Sequence, residues 1–160
     1  MNTRALALFL MLLSVTSASS ASAPVLEPIT DELACSPSGG AGEFGWVLRA
    51  ENQPEQSVCI FAQYPDTDSK TPFVLIAGKK ISLRLYGQTG STKKQSLTWS
   101  KTEKFLSPDG RTRIILRYRL ERDSCLEVPE SCCGQQYDGE IEVHHGETSK
   151  RYRVMRWSGA

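Results

Sequence analysis

Apolar and polar residues alternate with a period of two along most of the chain. Turn-forming residues break the alternation into runs, the pattern of strands that bury one face. Phe44–Arg49 is the first run and Val58–Tyr64 the second, ended by Pro65-Asp66. Phe73–Ala77 and Lys80–Tyr86 flank Gly78-Lys79, where glycine at the first central position suits a type II′ turn. That turn would set Ile76 opposite Ile81 and Val74 opposite Leu83 on a dry face, with Leu75 facing Ser82 and Phe73 facing Arg84 on a wet one. Gly87–Gln95 reads as a polar loop. Leu97–Leu106 and Arg111–Arg122 flank Ser107-Pro-Asp-Gly110, a turn in which Pro presets φ. The partner of Phe105 stays open among Thr112, Arg113 and Ile114. In the following strand Ile114, Leu116, Tyr118 and Leu120 point one way, and Arg113, Ile115, Arg117, Arg119 and Glu121 the other. A two-residue loop at Gly146-Glu147 pairs Glu142 with Arg151, Glu140 with Arg153 and Ile141 with Tyr152. Opposite charges directly across an antiparallel pair contribute about 0.2–1 kcal/mol each, so polarity and charge fix the same register.

About seven or eight short strands, joined mostly by tight turns, predict an all-β domain: an antiparallel β-sandwich or small β-barrel. An immunoglobulin arrangement does not fit, because Ser57 and Asp123, not tyrosines, stand two residues before Cys59 and Cys125.

Residues 1–23 break the strand pattern. Arg4 precedes the apolar run Ala5–Leu13, and small residues fill Ser14–Ala23. The run is too short for a helix of about 20 residues across a bilayer and matches an export signal peptide. Cleavage would leave about 138 residues, enough for one domain with a core. The domain division expected is therefore 1–23 signal peptide, 24–42 flexible acidic and glycine-rich tether, and 43–160 a single β-domain. The localisation that follows is periplasmic or secreted, with no stable membrane insertion.

Export changes the reading of Cys35, Cys59, Cys125, Cys132 and Cys133, which become disulfide candidates in an oxidising compartment. Five cysteines leave one over, and fifteen arrangements of two bridges are open. The preferred one joins Cys35 to Cys59 and Cys125 to Cys132 or Cys133. The remaining thiol is read as buried or harmless, with a disulfide-linked dimer as the alternative.

The net charge of +1 conceals segregation. Pro24–Ser69 holds eight acids against Arg49, whereas Lys79–Arg119 holds eleven bases against Glu103 and Asp109. Such runs usually solvate a surface, but they also attract anions. Arg84, Arg113, Arg117 and Arg119 are the candidate partner-binding residues, the partner being a protein or an anionic envelope polymer.

No catalytic, cofactor-binding or metal-ligating set emerges. His144 and His145 are the only histidines, and adjacent strand residues face opposite sides of a sheet. No nucleophile motif, phosphate loop or zinc spacing is present. The tryptophans are expected in the core rather than at contacts, Trp46 and Trp99 inside strands; for Trp157, past the last strand, an exposed anchor is the alternative. With the aromatics taken up in packing, nucleic-acid binding is not expected. The expected function is an exported, non-enzymatic binding or inhibitor-like module without a cofactor. The alternative is a structural or assembly component of the cell envelope.

Overall fold

The computed structural model describes residues 22–30, 45–49, 58–63, 71–90, 100–123 and 134–159. These residues are all-β. The strands are β1 (Gly45–Leu48), β2 (Cys59–Ala62), β3 (Phe73–Ile76), β4 (Lys79–Ser82), β5 (Arg84–Gly90), β6 (Ser100–Leu106), β7 (Thr112–Asp123), β8 (Gly134–His145) and β9 (Thr148–Gly159). They form one antiparallel sheet in the order β4-β3-β2-β1-β9-β8-β7-β6-β5. Every neighbour except the β1–β9 pair is consecutive in sequence, so the sheet is an up-and-down meander curled into a nearly closed barrel. Only Leu83 separates β4, which pairs with β3, from β5, which pairs with β6. One bent run of chain therefore supplies both edges of the sheet.

The alternation expected from the sequence is what curls it. Ile114, Leu116 and Leu120 of β7, Ile141 and Val143 of β8 and Val154 of β9 are buried inside with Trp46, Phe61 and Phe105. Phe61 and Phe105 meet edge to face at 5.1 Å. Each large side chain so buried contributes about 1.5–3 kcal/mol relative to its exposed state. The final hairpin has the expected register: Glu142 opposite Arg151, Glu140 opposite Arg153 and Ile141 opposite Tyr152. Phe105 faces Ile114.

Three expectations need correction. In the β3–β4 hairpin Val74 faces Ile81 and Leu75 faces Lys80, two residues away from the expected pairing. The turn is Ala77-Gly78, with φ of 50° and 70°. Positive φ at both central residues is the type I′ geometry that matches strand twist, and a shift of two keeps the same residues inside. Second, Gly87–Gly90, expected in a loop, continues β5 because β6 offers a hydrogen-bonding partner up to Lys101. Third, the part of the expected tether that the structure describes is packed. Pro24 is buried, Leu26 bridges to Ile76, Glu27 N donates to Leu75 O at 3.0 Å and Ile29 N to Cys59 O at 2.8 Å. The Glu27 carboxylate also accepts from Gly78 N at 3.0 Å. Leu26 enters the interior core, and Ile29 joins a separate cluster with Cys59, Ala62 and Phe73. Residues 1–21 and 31–44, with most of the expected signal peptide and the rest of the expected tether, lie outside the described residues.

The meander gives the barrel two unlike ends. The tight turns β3–β4, β6–β7 and β8–β9 share one end, where the segment Pro24–Ile29 also packs. The strand ends at Ala62, Phe73, Gly90, Ser100, Asp123 and Gly134 lie at the second end.

Candidate functional site

Towards that second end the barrel interior changes from apolar to polar and aromatic. Inward positions that follow Phe105, Leu116, Ile141 and Val154 along their strands are taken by Glu103, Tyr118, Tyr137 and Arg156. Trp46, fully buried, donates its indole Nε1–H to Gln63 Oε1 at 2.8 Å. Gln63 Nε2 donates to Glu103 Oε2 at 2.7 Å. Glu103, also buried, accepts from Tyr118 OH at 3.3 Å and pairs with Lys101 Nζ at 2.6 Å. A second chain runs from Tyr137 OH to Gln135 Oε1 at 2.6 Å and from Gln135 Nε2 to the buried Asp123 at 2.9 Å.

The rings are stacked into this network. Trp46 lies 5.0 Å from Tyr118, and Tyr118 meets Tyr137 edge to face at 5.7 Å. The Arg156 guanidinium stands 5.9 Å from the Trp46 ring and reaches Gln63 Oε1 at 3.5 Å. Burial, reinforced by the negative Glu103, holds the Tyr118 phenol well above the usual tyrosine range. Burial raises Tyr137 as well, against the opposing pull of Arg156. Both phenols therefore act as neutral donors. Trp46, Tyr118, Tyr137, Arg156 and Ser158 line a partly open pocket of about 90 Å³, large enough to hold water. Glu103 and Asp123 are each partnered within this buried polar cluster, which sets the ring positions.

The histidines are separated. His144 faces outward, its Nε2 3.0 Å from Glu142 Oε1, while His145 Nδ1 lies 2.9 Å from Thr112 Oγ1 beside the β6–β7 turn. Among the described residues no group of three or more His, Cys, Asp or Glu is placed to hold a metal ion. Cys59 is disulfide-bonded. Its partner and the expected cysteines Cys35, Cys125, Cys132 and Cys133 lie outside the described residues, as does Trp99. Trp46 is in the core, and Trp157 is 45% exposed.

The four candidate arginines all face outward, but they divide into two pairs. Arg117 is opposite Glu140 and holds Glu142 at 3.0 Å and Glu140 at 3.4 Å. Arg151 approaches the same carboxylates, Glu142 at 3.6 Å and Glu140 at 4.0 Å. Arg119 reaches Asp138 at 3.5 Å, and Arg49 binds that same Asp138 at 2.7 Å. The hydrogen bond from Arg117 is the main reason that the Glu142 carboxyl is held below its ordinary range; Arg151 and His144 add to it. Arg84 and Arg113 are different. They flank Leu106 in one row across β5, β6 and β7, and neither makes an ion pair with a described residue. Lys104, on the same outer face of β6, is exposed and equally without an acid among the described residues. Sequence reasoning missed the interior network and the contribution of Lys104. Glu103 and Arg156 share the inward phase of Phe105 and Val154, and that phase is the signal that could have found them.

Compared with protein-family models, curated proteins and solved structures, the chain matches none.

Proposed function

We propose that the chain is an exported, non-enzymatic binding module of the periplasm or exterior. It captures an anionic protein or envelope polymer on the outer face formed by Arg84, Lys104 and Arg113. The observation that carries this reading is the division of charge just described. Arg117 and Arg119 are already occupied by carboxylates of β8, whereas Arg84, Lys104 and Arg113 project beside one another with no acid among the described residues to neutralise them. An un-neutralised cluster attracts anions over about one Debye length, about 8–10 Å at physiological salt.

The test is binding of the purified protein to surfaces coated with poly-L-glutamate or polygalacturonate, compared at low and high salt. The double variant Arg84→Glu/Arg113→Glu should lose at least about tenfold in affinity, equivalent to about 1.4 kcal/mol. Arg117→Glu/Arg119→Glu should change affinity much less. Equal losses from the two double variants, or salt-independent binding, would overturn the assignment.

A further inference from the structure

We infer that the free edge of β5 is a strand-addition site for an extended, acidic segment of a partner protein. This rests on the basic face proposed above and narrows its partner from any polyanion to a polypeptide. Among the described residues β5 is the terminal strand of the sheet and pairs only with β6. On its other side the last backbone bond is Leu83 N to Pro72 O at 2.7 Å, and no backbone group of residues 84–90 bonds to a described residue outside β6. Alternate amides and carbonyls of a strand point to each side, so β5 presents a row of donors and acceptors to any chain laid beside it.

Natural edges are usually guarded by charge, proline or brevity. β5 is seven residues long, and after Arg84 it carries Leu-Tyr-Gly-Gln-Thr-Gly, without a charge or a proline. Leu85 and Tyr86 are 40% and 48% exposed, two of the four large apolar side chains that are exposed among the described residues. The one guard is a bulge between Leu85 and Gly87. Bulges are over-represented beside functional sites, where they re-aim a side chain, and here the extra residue is Tyr86, at the edge a partner would meet.

Charge selects the occupant. A strand added to β5 would lie about 5 Å from the row of Arg84 and about 10 Å from that of Lys104, given the spacing between paired strands. Both distances fall at or within the Debye length. Lys80 stands farther along the same bent run, exposed and on the same outer face as Arg84. A basic strand would be repelled there, as would the edge of a second copy that brought its own Arg84 close. An acidic one gains main-chain hydrogen bonds together with charge pairing, the division of labour seen in strand-addition complexes.

The experiment uses the purified, ¹⁵N-labelled protein and three capped heptapeptide probes. The first alternates glutamate with valine. The second has the same sequence with every backbone nitrogen methylated, which keeps the charge and blocks pairing along both edges. The third replaces glutamate by lysine. The first probe should slow exchange of alternate amides in β5 at least about tenfold while those of β7 are unchanged. The other two should not. If the methylated probe binds as well as the first and β5 amides gain no protection, the basic face stands and strand addition fails. If neither acidic probe binds, both proposals fail. If β5 amides are protected without any probe, and more so at higher protein concentration, the occupant is a second copy and the assignment of an acidic partner is overturned.

Discussion

Replacing Gly139 by alanine tests the packing that seats Trp46 at the polar end of the barrel. Gly139 lies in β8 between Tyr118 of β7 and Val154 of β9. A Cβ there would sit 2.9 Å from the Arg117 carbonyl oxygen, 3.1 Å from Trp46 Cζ3 and 3.2 Å from Tyr118 Cβ. The first contact involves backbone and cannot be relieved by a side-chain rotation. The second pushes on a fully buried indole whose Nε1–H is held by Gln63. Overpacking a well-filled interior costs about 1–3 kcal/mol. Alanine is intrinsically better than glycine in a strand by about 0.5–1 kcal/mol, so the net loss should centre on about 1 kcal/mol, within a range of about 0–2.5 kcal/mol. Gly87→Ala is the control, because its Cβ would meet only Lys104 Cδ, at 3.9 Å, and it should be neutral or stabilising by up to about 1 kcal/mol. Urea unfolding of the purified variants, followed by tryptophan fluorescence, reads both. With a slope of about 1–3 kcal/mol per molar, Gly139→Ala should lower the midpoint by about 0.5–1 M and Gly87→Ala should not. Equal midpoints for the two variants would refute the steric argument.

Leu26→Ala should cost about 2–3 kcal/mol in the same assay, the lower part of the range for buried leucines, because the side chain is 5% exposed in the interior core. Val25→Ala, at a residue 55% exposed, should stay within about 0.5 kcal/mol; equal effects would mean that Pro24–Ile29 does not seal the barrel in solution. Glu142 has a folded-state pKa depressed chiefly by its hydrogen bond from Arg117. Its contribution is therefore complete above the unfolded value of about 4.3 and disappears as pH falls through the lower folded value. The stability gap between the native protein and Glu142→Gln should narrow below about pH 4, and a gap independent of pH would remove the ion-pair explanation.

What the sequence disclosed depended on whether two independent signals agreed. The β8–β9 hairpin was legible because polarity and charge specify one register, Glu142 opposite Arg151 and Ile141 opposite Tyr152. The β3–β4 register was not, because its turn places Ala77 at φ 50°, and propensity argues against alanine there. A shift by two positions keeps Val74, Ile76 and Ile81 on one face, so the hydrophobic pattern could not detect the error. Gly87–Gly90 looked like a loop by composition and is a strand because β6 lies beside it, which no local signal reports. Glu103, Lys101 and Arg156 occupy inward phases but are charged, and charge in a basic run reads as surface. Only strand pairing shows that Gln63, Tyr118 and Trp46 converge on Glu103 and Arg156.

The candidate binding face follows the same logic at a larger scale. Counted along the chain, Lys79–Arg119 is one basic block, and its four outward arginines look equivalent. Strand order makes them unequal. The acids Asp138, Glu140 and Glu142 all belong to β8, whose neighbours are β7 and β9. They therefore neutralise Arg117 and Arg119 of β7 and Arg151 of β9, one strand away. Lys104 of β6 lies two strands off and Arg84 of β5 three, about 10 and 14 Å at ordinary strand spacing, beyond the reach of those carboxylates. Arg113, although on β7, stands opposite His144 rather than an acid. Neutralisation thus fades with distance from β8 and ends at β5, the strand whose far edge pairs with no described strand. A basic surface and an open edge coincide because the meander places its acidic strand near the middle of the sheet and its bent, basic run at both margins.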